Sequence, residues 1–117
     1  MVGQSDQALS RLREAARLDP ESATILNTIA WILATHTEGT IRDSSEAIAV
    51  AQRAADASDH RDPAILDTLA AAYGAAGQFD RAVETAQDAL TLATDSGAVE
   101  LAVQIRSRLA LYRQENP

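Results

Sequence analysis

Leu66-Asp67-Thr68-Leu69-Ala70-Ala71-Ala72-Tyr73-Gly74-Ala75-Ala76-Gly77-Gln78-Phe79-Asp80-Arg81-Ala82 is the stretch whose pattern decides the fold. Leu66, Leu69, Ala70 and Tyr73 fall at i, i+3, i+4 and i+7, the stripe of a half-buried helix. Past Gly77, the residues Ala82, Ala86 and Ala89 fall at i, i+4 and i+7, on one face of a second helix. Gly77 supplies the tight turn between them. Both stripes recur upstream. Leu26, Ile29, Ala30 and Leu33 repeat the first 40 residues earlier, while Ala47, Ala51 and Ala54 repeat the second 35 residues earlier. Ala8, Leu12 and Ala15 repeat it once more, a further 39 residues back. The hexad Gly3-Gln4-Ser5-Asp6-Gln7-Ala8 matches Gly77-Gln78-Phe79-Asp80-Arg81-Ala82, and Asp43-Ser44-Ser45-Glu46-Ala47 takes the same role between them.

The pattern predicts six helices, at about 5–18, 21–36, 44–58, 63–76, 79–94 and 98–114. Asp19-Pro20 and Asp62-Pro63 read as helix starts, because aspartate caps free amides and proline lacks the donor that the first turn leaves unpaired. Gly97 breaks the chain before the last helix, and the longest loop is 37–43. Met1–Gln4 and Glu115–Pro117 are expected to fray. Composition agrees with an all-α fold. The 117 residues suit one domain; 46% are apolar and only 3% aromatic, with alanine, the strongest helix former, prominent.

Charge and composition narrow the function. Ten arginines, no lysine and seventeen acids give a net charge of −7, and residues 38–100 hold twelve acids against four arginines. Nucleic-acid binders need clustered positive charge, so nucleic acid is not an expected partner. The absence of cysteine removes disulfides, thiolate metal sites and thiol nucleophiles. The absence of lysine removes Schiff-base and phosphate-loop chemistry. No signal-peptide pattern or membrane-length apolar run is present in these residues, so neither a membrane nor secretion is expected and the default compartment is cytoplasmic.

The register Leu66-x2-Leu69-Ala70-x2-Tyr73, then Ala82-x3-Ala86 and Ala89, resembles the signature of tetratricopeptide repeat (TPR) proteins. The signature tryptophan is leucine at 26 and 66, its glycine is alanine at 30 and 70, and its terminal proline is Thr94 in the last repeat. The resemblance implies a right-handed α-solenoid of antiparallel helix pairs, a single domain over 1–117. Its parts would be a half repeat at 1–20, repeats at 21–60 and 61–95, and a capping helix at 97–114. A repeat that opens at its turn glycine, Gly3, implies a piece cut from a longer array. On the last helix Leu101, Ile105, Leu109 and Tyr112 form the apolar face, and a polar outer side is expected to close the stack. The first helix has no such lid, so self-association or docking of an upstream segment is expected there.

The same resemblance implies a concave groove lined by Thr24, Asn27, Trp31, Ala34 and Thr35 from one helix, and Ala64, Asp67, Ala71, Gly74 and Ala75 from another. Of these, Thr24, Asn27, Trp31, Thr35, Asp67 and Ala71 are the candidate partner-binding residues. Asn27, Trp31 and Ala34 also share a face by spacing alone. Trp31 either anchors a partner or packs under the upstream helix or the long loop. With Asp67 in the groove and no lysine for a carboxylate clamp, a neutral or basic peptide is expected, and an acidic one is not.

Neither His36 near Glu38 nor His60 between Asp59 and Asp62 has metal-ligand spacing, so no metal or other cofactor is expected. Arg106, Arg108 and Arg113 read as solubilising residues of the last helix. No nucleophile, zinc-protease or dinucleotide motif occurs, so the chain is not expected to be an enzyme. The expected function is a scaffold that binds a peptide or neighbouring domain. The alternative is a regulatory or spacer segment of a larger enzyme whose catalytic domain lies outside these residues.

Overall fold

Among the described residues six helices form where the stripes predict them: α1 (Val2–Leu18), α2 (Ala23–Thr35), α3 (Ser44–Ala57), α4 (Pro63–Ala75), α5 (Phe79–Asp95) and α6 (Val99–Glu115). The computed structural model describes residues 2–35 and 43–115, with burial described from residue 7 onward, and contains no strand among them. Most of the loop expected at 37–43, with His36 and Glu38, lies outside the described residues. No described helix is long and apolar enough to cross a membrane.

The core is built from the two stripes. Leu26, Ile29, Ala30 and Leu33 of α2 and Leu66, Leu69, Ala70 and Tyr73 of α4 are all buried. So are Ala47, Ala51 and Ala54 of α3 and Ala82, Ala86 and Ala89 of α5, whose lack of bulk lets these helices approach their neighbours closely. Each helix packs on the next along the chain, and α4 packs in addition on both α2 and α6. The alternate helices α2, α4 and α6 therefore lie side by side, with α4 in the middle.

Chain reversals follow local capping chemistry. Asp62 accepts from the Ala64 amide at 3.0 Å with Pro63 in the first turn of α4, as expected. Asp43 accepts from the Glu46 amide at 3.0 Å to start α3. Asp19-Pro20 behaves differently from Asp62-Pro63. It forms a turn in which Ser22 N–H donates to the Asp19 carbonyl at 3.2 Å, and the Ser22 hydroxyl accepts from Ile25 N–H at 3.3 Å to open α2 at Ala23. Proline suits the second position of such a turn as well as a helix start, so the dipeptide alone does not separate the two.

Gly77 and Gly97 end α4 and α5 at φ of 78° and 76°. Gln78 N–H reaches the Tyr73 carbonyl at 2.9 Å and Ala98 N–H the Ala93 carbonyl at 2.8 Å, which closes each helix end with a left-handed residue. After α3 the same closure, His60 N–H to the Ala55 carbonyl at 2.8 Å, is made without glycine, leaving Asp59 and His60 at φ of 57° and 55°.

Two expectations at the ends change. Gly3 stands inside α1, not in a turn, and Ala8 is exposed although its counterparts Ala47 and Ala82 are fully buried. The buried side of α1 is turned by one residue, so that Leu9 is buried and Leu12 and Ala16 pack against the core. Ala47 and Ala82 lie on helices packed from two sides, α3 by α2 and α4 and α5 by α4 and α6, whereas among the described residues α1 packs on α2 alone. At the other end α6 buries Ala102, Ile105 and Leu109, and its outer side mixes exposed Glu100, Gln104, Arg106 and Arg113 with exposed apolar residues. Val99, Val103 and Leu111 are 71%, 54% and 58% exposed, because apolar residues are spread around this helix instead of gathered on one face.

Candidate functional site

The three neighbouring helices α2, α4 and α6 open a groove of about 300 Å³. Helix α2 contributes Asn27, Thr28 and Trp31; α4 contributes Ala64, Asp67 and Thr68; α6 contributes Gln104 and Arg108. Helical spacing sets this lining. Asn27 and Trp31 are one turn apart on α2, Ala64 and Asp67/Thr68 one turn apart on α4, and Gln104 and Arg108 one turn apart on α6. Of the expected residues, Asn27, Trp31, Asp67 and Ala64 come together here. Thr24, Thr35 and Ala71 are not part of this lining. Thr24 and Thr35 are exposed on α2, the Thr35 hydroxyl donating to the Trp31 carbonyl at 2.7 Å, and Ala34 is buried in the core. Gly74 is covered by α6: a Cβ placed there would meet Tyr112 Cε1 at 2.8 Å, so glycine lets the ring lie on α4.

Asp67 departs most from expectation. Far from presenting charge at a rim, its side chain is buried at 4% exposure. Arg108 Nε donates to its Oδ1 at 2.9 Å, and Arg108 Nη2 donates to Oδ2. A carboxylate in an otherwise uncharged helix is costly to bury unless it is paired, and the fork of an arginine meets both its oxygens at once. Arg108, read from sequence as a solubilising residue, is therefore turned inward. The same guanidinium lies over the Trp31 ring, 5.3 Å from its centroid. Trp31 remains 37% exposed along the groove with Arg108 as its neighbour, and most of the loop it was alternatively expected to pack under lies outside the described residues.

Electrostatics follow from this triad. The hydrogen bond to Asp67 raises the Arg108 pKa further above its ordinary value. Burial, reinforced by the charge of Asp67 and opposed by Arg108, pushes the Tyr112 phenol up to about 12. The groove floor is therefore neutral in sum, one buried carboxylate against one guanidinium. Asn27 Oδ1 is buried with no hydrogen-bond partner. The hydroxyls of Thr28 and Thr68 donate to the Thr24 and Ala64 carbonyls, leaving their lone pairs toward other groups.

Elsewhere, His60 Nε2 lies 2.8 Å from Asp56 Oδ1 on the surface. Among the described residues no three His, Asp or Glu side chains gather where they could hold a metal ion. Arg108 and Gln104 were not expected in the groove. The signal that could have found Arg108 is Asp67 itself, the only charge between Pro63 and Gln78, which needed a cation from another helix. No protein-family model matches this sequence, and no curated protein matches it.

Proposed function

We propose that the chain is a protein-interaction scaffold of TPR-like architecture, which holds a peptide or neighbouring domain in the α2/α4/α6 groove and does no chemistry of its own. The observation that carries the reading is Trp31: an aromatic ring more than a third exposed, in contact with the Arg108 guanidinium, beside a groove of about 300 Å³. Aromatic anchors dominate interface energies. The helix neighbours support a repeat stack, since α2, α4 and α6 form one row and α3 and α5 pack between successive members of it. The pairing of Asp67 changes the partner's expected chemistry. With its charge met by Arg108, the groove favours an uncharged segment with an apolar or aromatic side chain against Trp31, not a basic one.

The test is a peptide-display selection on the full chain, repeated on the Trp31→Ala/Gln104→Ala variant after circular dichroism verifies its helicity. The selected peptide, fluorescently labelled, should bind the wild type and lose at least about tenfold in affinity with the variant, a loss of roughly 1.4 kcal/mol. Equal binding to both places the partner surface elsewhere and removes the proposal.

A further inference from the structure

The groove's charge is set by a residue from the far helix. Asp67 is buried in α4, Trp31 stands one helix away on α2, and neither touches a cation from its own helix. Together they form three elements of a guanidinium receptor: a carboxylate with two oxygens facing the same fork, an aromatic ring with the guanidinium carbon 5.3 Å from its centroid, and a partly desolvated wall. Arginine is the side chain such a wall takes, because its planar fork pairs with a carboxylate and its flat face stacks on an indole, which an ammonium does less well. In the intact chain that receptor is filled by Arg108, delivered from α6 across α4.

We infer that Arg108 is the specificity-determining residue of the groove: it occupies a guanidinium site made by Asp67 and Trp31, and so restricts the groove to uncharged partner segments. The inference rests on the groove reading above and names the ligand class that it admits. Without Arg108, Asp67 is left as a buried carboxylate beside an open indole face, and the groove selects a guanidinium cation. The anchoring of α6 does not depend on this contact alone, since Ala102, Ile105 and Leu109 bury the helix in the core. Removing the Arg108 side chain therefore opens the site without detaching the helix.

Trp31 is the single tryptophan of the chain, so its emission reports the site directly. The probe is methylguanidinium chloride, titrated at millimolar concentration into the full-length wild type, Arg108→Ala, and Arg108→Ala/Asp67→Asn, with tetramethylammonium chloride as the matched salt. Arg108→Ala is expected to show a saturable change in Trp31 emission with methylguanidinium and none with tetramethylammonium. The apparent affinity should fall on the order of tenfold in the double variant, where the charge-assisted fork is gone, and the wild type should stay silent. If Arg108→Ala proves unfolded at rest, the same titration is read by circular dichroism, and methylguanidinium but not tetramethylammonium should restore its helicity. A response of Arg108→Ala no stronger than that of the wild type, or equal to that of the double variant, overturns the inference. Failure here with a groove-bound peptide in hand would leave the scaffold reading standing. Conversely, a guanidinium response in a chain whose selected peptides ignore Trp31 would keep the receptor and remove the scaffold reading.

Discussion

Gly3–Ala8 and Gly77–Ala82 share glycine, glutamine, aspartate and alanine at the same spacing, yet they build different structures. Gly77 is a left-handed turn residue and Ala82 is fully buried; Gly3 lies within α1 and Ala8 is exposed. At Gly77 the letters encode a turn that closes α4. Tyr73 offers its carbonyl to Gln78, and α4 then covers Ala82. At the start of α1 the same motif is helical, and its alanine faces outward. What a small residue contributes is thus set by the neighbour across from it.

The largest effect that sharpens this contrast comes from truncating apolar residues at the centre and at the end. Leu33→Ala, at a fully buried position of α2, should cost about 2–5 kcal/mol, whereas Leu12→Ala on α1, half-buried, should cost about 1 kcal/mol. Urea denaturation of the two variants checks the order, and equal losses would mean that α1 is as firmly packed as α2. Next comes bulk at the matched alanines. Ala82→Leu should lose about 1–3 kcal/mol by forcing α5 from α4, while Ala8→Leu should stay within about 0.5 kcal/mol of wild type.

The glycines should then differ in sign. At Gly77 a Cβ meets nothing within 4 Å, so Gly77→Ala tests the backbone alone and should cost about 1–2 kcal/mol for its left-handed φ. Gly3→Ala should instead gain up to about 0.5 kcal/mol, as alanine is the better helix former. Thermal melts that moved in the same direction would break the comparison. The α3–α4 turn extends it: Asp59→Gly should gain on the order of 1 kcal/mol, because Asp59 holds a left-handed conformation that glycine adopts freely.

Much of the fold was legible because its information is periodic. The stripes at Leu26–Leu33 and Leu66–Tyr73, the alanines of α3 and α5, and the turns at Gly77 and Gly97 need only local spacing to be read. The ends were less legible, since burial there depends on what lies across from a residue: Ala8 looks from sequence like its buried counterparts Ala47 and Ala82. Asp19-Pro20 was misread because two local structures use the same dipeptide. In the groove, Asn27 and Trp31 were found through their spacing on α2 and, with Asp67 on α4, through the groove positions that the TPR resemblance implies. Arg108 was not, since its pairing with Asp67 spans 41 residues and three helices and leaves no trace in spacing.

The central claim is that α2, α4 and α6 converge through Trp31, Asp67 and Arg108. Its most direct measurement is the NMR signal of the Arg108 Nε–H, assigned by its loss in Arg108→Ala. Among the ten arginines it should exchange slowly with water and carry a ring-current displacement from Trp31. The slow exchange should vanish in Asp67→Asn, and the displacement in Trp31→Ala. An Arg108 Nε–H that exchanges like that of exposed Arg106 and ignores both substitutions would contradict the convergence, and with it the groove.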